Sequence, residues 1–400
     1  RYNMKFDFSH LPYFDNHTHL LNVTNREIDL KEYMGPINHG YVDTIPENAH
    51  FSPNSYAGNN SPQWLSDDMF ENVTLNMGLS KTWVHWLSEF FGCDETPEAV
   101  LAERNRRSLA DMMAYTRSLY QDQNIIAEVV DAPHPMGDPA MNCFPCEVYR
   151  LFQTDPLVWK LLSECESYAE LRDRFDAAVR HAIVNEHFVG IKCHVLEVCR
   201  HAPHYVSAEE AEKRYRRANG GLPDAKETVY MASFCHMLLM TQTLDFPVHL
   251  HTGLTGKMTY KDIRNCDPLC FVGLLNDTRF VNSHLMFLHV GFPFVRSASV
   301  MAQSYPNVWI DFAQVLPWEV INFPSILEDV MSFASHGKIS FGSGAHGHPE
   351  LNWLAAKIAK KSLEIVLGRA VERSFMSARQ AEATAEQLLY KNLFRLYKLG

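Results

Sequence analysis

A chain of 400 residues, 46% hydrophobic and 21% charged, has the composition of an ordinary globular protein with a large core. Its formal charge of -11 and pI near 6.0 exclude a nucleic-acid surface, which needs clustered Lys and Arg that no segment supplies. No run approaches the roughly 18 to 20 apolar residues of a membrane span, and the first residues lack the basic and apolar halves of a signal peptide. A soluble, cytoplasmic protein is therefore expected, with small molecules and sister subunits of a homo-oligomer as its partners.

The first element is the run "YFDNHTHLL" from Tyr13. In an extended strand, side chains two positions apart emerge on one face, so His17 and His19 can converge on one point. Residues from about 22 to 100, rich in Asn, Pro, Trp and Phe, read as a mostly helical cap inserted at the C-terminal end of that strand. Its aromatics, Trp64, Trp83 and Trp86 among them, suit packing better than ligand binding. A helical pattern, "ERNRRSLADMMAYTRSLYQ", then leads to a second strand, "IIAEVVDA" from 125.

The region between 131 and 187 is poorly patterned but has room for one more strand. It contains a CxxC, Cys143 and Cys146, with no second CxxC at zinc-ribbon distance, since Cys266 and Cys270 form CxxxC. The nine cysteines read as reduced thiols. Further strands follow as "FVGIKCHVL" from 188, "FPVHLHTG" from 246, "LMFLHVG" from 285, "NVWIDFA" from 307 and "KISFGSGA" from 338, with helical patterns between them. Strand and helix in alternation mean parallel strands with crossover helices. Seven runs plus an eighth, with no GxGxxG after the first, favour a closed (β/α)8 TIM barrel as a single domain over residues 1–400. Two terminal helices are expected, the first beside the last strand and the second covering the outside of the barrel.

Strand ends of a barrel converge on one face, so His17, His19, His249, His251 and His289 meet there. Neutral imidazole is the commonest donor to zinc and related ions, and a catalytic site combines about three protein ligands with an open position. His251, just before the "TG" turn, belongs at the mouth; His249, one layer lower, is a partner of the ligands or core. Lys192, inside a run otherwise fit for burial, has two readings. Its amine forms a carbamate able to bridge two metals, or it pairs with an anion of the protein or substrate. His194 shares its side of the strand. Arg296 in "GFPFVR" and Arg200 after the fourth strand are candidates for anchoring a substrate carboxylate or for structural ion pairs.

In order and context, "HTH", "GIKCH", "HLHTG", "LHVGFPFVR", "NVWIDFA" and "FGSGAHGHPE" resemble the amidohydrolase superfamily, in particular the amidohydrolase-related group of FluG-type N-terminal domains. The resemblance implies a metal-dependent barrel enzyme that hydrolyses amide or ester bonds, or in some branches decarboxylates carboxylic acids. Position by position it assigns His17 and His19 as the first-strand metal pair, with Lys192, His251 and His289 as further ligands. Zinc is the default ion, manganese or another divalent ion the alternative, and Lys192 decides between one ion and two.

One member of that set is absent: where the family carries a metal-binding, proton-accepting aspartate after the eighth strand, this chain has Gly344. Loss of such a base costs about a hundred to ten thousandfold in rate. Three explanations stand: a glycine engineered to trap substrate, ranked first because the other ligands are intact; a natural enzyme using His346 or His348 as base; or a decayed enzyme that only binds ligand. The expected reaction is hydrolysis of a C–N or C–O bond in a small, carboxylate-bearing substrate, weakened at Gly344. Non-oxidative decarboxylation and non-catalytic ligand binding are the alternatives.

Overall fold

The computed structural model describes residues 6–38, 67–134, 137–254 and 263–400. Eight strands run in parallel in sequential order: β1 Tyr13–Thr18, β2 Ile125–Asp131, β3 Glu147–Gln153, β4 Gly190–Cys193, β5 Val248–His251, β6 Leu285–Leu288, β7 Val308–Asp311 and β8 Ile339–Ser340. The seam between β8 and β1 is closed by backbone hydrogen bonds just beyond the short last strand. Asn16 N donates to Phe341 O at 2.9 Å, Gly344 N to His17 O at 2.8 Å, and His19 N to Ala345 O at 2.9 Å. The TIM barrel expected from the sequence is thus the fold, and the strand hidden between 131 and 187 is β3.

Side-chain alternation along parallel strands puts every second residue inside the ring. Gln153, Lys192 and His249 are direct register partners on β3, β4 and β5, and so form one polar layer of the wall. Below it lies an apolar layer of Phe14, Ala127, Val129 and Leu151. Leu393 and Tyr397 of the last helix, Asn392–Tyr397, are buried against that layer. Spaced four apart, they share one helix face and fill the bottom of the barrel. The final helix therefore plugs the ring from below and does not cover its outside as expected.

The helix Pro349–Glu372 packs beside β1 and β2, where Asn352 Nδ2 donates to Thr18 Oγ1 at 2.9 Å and to Glu128 Oε1 at 2.8 Å. Within the insertion, the described segments Leu30–Met34, Asp67–Asn72 and Gly78–Phe91 are helical. Trp83 is fully buried, edge-on to Tyr33 with ring centroids 5.2 Å apart, and Trp86 lies 4.8 Å from the Lys357 ammonium. Both rings thus hold helices together. Trp64 and the middle of the insertion lie outside the described residues. No helix among the described residues is long and apolar enough to cross a membrane.

Candidate metal centre

The register of β1 against β2 is irregular between Asp15 and Thr18. Asp15 Oδ1 fixes this irregularity by accepting from His17 N at 3.1 Å and Ser343 N at 2.9 Å. Beyond it stand His17, buried, and His19, half-buried, with ring centroids 5.1 Å apart. Opposite them, at the end of β2, is Asp131. Its carbonyl accepts from His19 Nδ1 at 3.1 Å, and its Oδ1 accepts from Gln153 Nε2 at 2.7 Å. Its Oδ2 is 3.9 Å from His17 Nε2.

One donor atom from each of His17, His19 and Asp131 lies within 4.8 Å of the others. Donors around a tetrahedral ion stand about 3.3 Å apart at bond lengths of about 2.0–2.1 Å, so small rotations would close the set. Asp131 is absent from the sequence reading because "IIAEVVDA" looks like a buried strand ending in a turn. The available signal was alternation, which puts Ala127, Val129 and Asp131 on the same inner face.

A second group adjoins the first. His289 Nδ1 donates to Ala313 O at 2.7 Å, and His251 Nε2 donates to Leu254 O at 2.7 Å with Glu197 Oε1 at 3.2 Å. The nitrogens left facing each other, His251 Nδ1 and His289 Nε2, are 3.1 Å apart, and both are then lone-pair acceptors. A proton shared between the two nitrogens or a cation beside them satisfies this contact. An imidazole bound to an ion has its centroid about 3.2 Å from it, so two rings on one ion lie at most about 6.4 Å apart. His17 satisfies this limit with His19, with His249 at 5.8 Å and with His289 at 6.2 Å, as do His251 and His289 at 4.3 Å.

The donors suit a divalent cation. Burial, reinforced by the nearby Lys192 charge, holds His17 well below the ordinary imidazole value and keeps its lone pair. His17 Nδ1 is buried with no hydrogen-bond partner. His19 and His289 each hydrogen-bond a backbone carbonyl through Nδ1, a contact that orients a metal-ligating ring. Lys192, 2% exposed, makes no ion pair with an acid among the described residues and lies near enough to influence His17, His249 and Asp311.

The remaining candidates separate. His194 is at the mouth, its Nδ1 2.7 Å from Asp155 Oδ2 and its ring 5.8 Å from His251. His346 lies flat on His19, centroids 3.8 Å apart at 11°, and so braces that ring. His348 Nε2 meets Glu32 O at 3.1 Å, on the cap side. His249 is in the wall, held by Tyr397. The structure brings neither arginine to the histidines. Arg296 pairs with Asp329 at 2.7 Å with its side chain 75% exposed, and Arg200 pairs with Asp224 at 3.3 Å. Arg296 is in the first turn of the helix Val295–Ser304 and turns towards the neighbouring helix Phe323–Met331, which supplies Asp329. Both arginines are thus seen in ion pairs with acids of neighbouring helices.

Gly344 has φ +60°, and a Cβ there would lie 2.6 Å from both Cγ and the backbone N of Gln314. The backbone at this position suits glycine and would crowd a side chain.

A family model described as Amidohydrolase matches residues 170–399, more than half of the chain. The chain belongs to the amidohydrolase family. A relative by sequence is the protein fluG of Emericella nidulans, 28% identical over 155 residues; the match spans 38% of this amidohydrolase and 18% of that protein's length. Among solved structures, a protein of Lactobacillus casei assigned as a metal-dependent hydrolase shares the fold with a TM-score of 0.77 at 16% identity, covering 99% of this chain and 98% of its own. The uronate isomerase of Thermotoga maritima follows with a TM-score of 0.68 at 15% identity, covering 97% and 95%.

If the amidohydrolase holds its ion through Asp131, Asp131→Asn weakens zinc binding about 10- to 100-fold while the melting profile of the metal-free protein stays close to that of the parent. Competition against a chromophoric chelator measures this; an unchanged affinity would remove Asp131 from the ligand set.

Proposed function

We propose that this amidohydrolase is a metal-dependent hydrolase of an amide or ester bond in a small, carboxylate-bearing substrate. The observation that carries the reading is the meeting of His17, His19 and Asp131 at the barrel mouth, with one donor atom of each within 4.8 Å of the others. These three side chains would hold a divalent ion, with His251 and His289 beside them; the mixed nitrogen and oxygen set suits zinc first and manganese second. Such an ion, when bound, polarises a carbonyl and lowers the pKa of its water towards neutrality.

The chain's own groups do the rest. Asp131 supplies at β2 the carboxylate that Gly344 cannot offer after β8, and Gln153 holds its Oδ1 so that Oδ2 faces the histidines and accepts the proton of the attacking water. His194, oriented by Asp155 through Nδ1, presents the lone pair of Nε2 at the mouth, takes over the water proton that Asp131 accepted and delivers it to the leaving group, which returns both side chains to their starting state. Lys192 contributes positive charge in the wall for a substrate carboxylate, or as a carbamate would add a second ion.

Hydrolysis is preferred over decarboxylation because, among the described residues, the two arginines considered for a carboxylate clamp are engaged in other ion pairs, Arg296 with Asp329 and Arg200 with Asp224. It is preferred over mere ligand binding because a second carboxylate answers the loss at 344. The test is a panel of amides, lactones, carboxylic acids and uronates, assayed with metal-stripped and reconstituted protein. Released amine or alcohol, falling at least about a thousandfold on chelation and returning with zinc or manganese, is the expected result. Released carbon dioxide would assign decarboxylation, an aldose-to-ketose product isomerisation, and silence with metal bound a binding protein.

A further inference from the structure

We infer that His249 is an additional metal ligand, held in its donor form by Tyr397 from the C-terminal plug of the barrel. The inference rests on the reading of the mouth as a metal site, and it follows from tracing hydrogens through a buried chain. Asn16 Nδ2 donates to Asp311 Oδ2 at 3.0 Å, which fixes the orientation of its amide. Asn16 Oδ1 can therefore only accept, and it does so from the Tyr397 hydroxyl at 2.6 Å. With its proton committed there, the hydroxyl oxygen is the acceptor in its 2.7 Å contact with His249 Nε2.

His249 thus carries its proton on Nε2 and a lone pair on Nδ1. That Nδ1 is buried and has no hydrogen-bond partner, as is the case for His17 Nδ1. The two rings are 5.8 Å apart, inside the limit for imidazoles sharing one ion. A metal-ligating histidine normally donates its other nitrogen to a fixed acceptor, and a phenol oxygen brought in from the far end of the chain fills that role here. The chain also reaches the second group, since Asp311 Oδ1 accepts from His289 N at 3.4 Å. One hydroxyl near the C-terminus therefore orients two walls of the site, making Tyr397 a positioning residue.

The simpler alternative is a core histidine whose Nδ1 faces its register partner Lys192. Metal affinity separates the two. The full-length protein is stripped with chelator and titrated with zinc against a chromophoric competitor, then with cobalt(II), whose visible bands report ligand number and type. His249→Ala should raise the zinc Kd at least about tenfold and change the cobalt spectrum. Should that variant fail to fold, His249→Gln keeps a donor to Tyr397 but offers no imidazole, and the same losses are expected. Tyr397→Phe should raise the Kd about tenfold with far-ultraviolet circular dichroism unchanged. Parent-like affinity and cobalt spectrum in either His249 variant would overturn the assignment, and parent-like affinity in Tyr397→Phe would overturn the positioning role. A parent protein that binds neither ion would instead remove the metal site itself.

Discussion

His17→Ala should abolish metal binding, and activity with it, while leaving the barrel folded. His17 is the hub: its ring lies within the limit for sharing an ion with His19, His249 and His289, and its Nε2 faces Asp131. Removing it takes a donor out of the His17, His19 and Asp131 group. A ligand that binds only the folded state stabilises it by about 2.7 kcal/mol at a hundred times its Kd. The parent melting temperature should therefore climb as zinc is added, and that of His17→Ala should stay flat. Turnover of any substrate found in the panel should fall at least about a thousandfold. A variant that still melts higher with zinc and still turns over would show that the ion, if any, sits elsewhere.

Gly344→Asp should destabilise the protein and restore nothing. At φ +60° a side chain is strained, and aspartate tolerates that region at a cost of about 1 kcal/mol. The larger penalty is steric: the new Cβ would stand 2.6 Å from the backbone N of Gln314, and backbone cannot rotate aside. Overpacking of this kind costs about 1–3 kcal/mol, which gives a total of about 2–4 kcal/mol. The loop would have to shift, loosening the Gly344 N to His17 O bond of 2.8 Å and the stacking of His346 on His19. Zinc affinity should fall along with stability. Gly344→Ala isolates the contribution of the β-carbon and should already lose most of the stability. If Gly344→Asp instead melts with the parent and binds zinc more tightly, the glycine does stand in for a lost aspartate.

The barrel was legible because most of its strands are short apolar runs bounded by turn residues and separated by helical periodicity. β3 escaped because "EVYRLFQ" carries Glu147 and Gln153 on its inner positions and Arg150 on an outward one, so it lacks an apolar run. The histidines were legible for a related reason: strand ends meet at one face, so chemistry can be read one strand at a time. Asp131 required knowing which face of β2 is inner, a matter of register against β1. Tyr397 gave no local signal, since a tyrosine in an amphipathic terminal helix is ordinary until the helix is seen to enter the ring. For Arg296 and Arg200 the sequence left substrate anchor and structural ion pair both open, because it gives a residue's position after a strand but not the rotation of the following helix, and that rotation decides which acid a guanidinium meets.

The most direct test is a diffraction experiment on crystals grown with zinc, with data on both sides of its absorption edge. An anomalous peak at the mouth, about 2.0–2.2 Å from a nitrogen of His17, a nitrogen of His19 and an oxygen of Asp131, is the predicted result. No peak among these side chains in zinc-soaked crystals, or a peak bound only at surface residues, would contradict it.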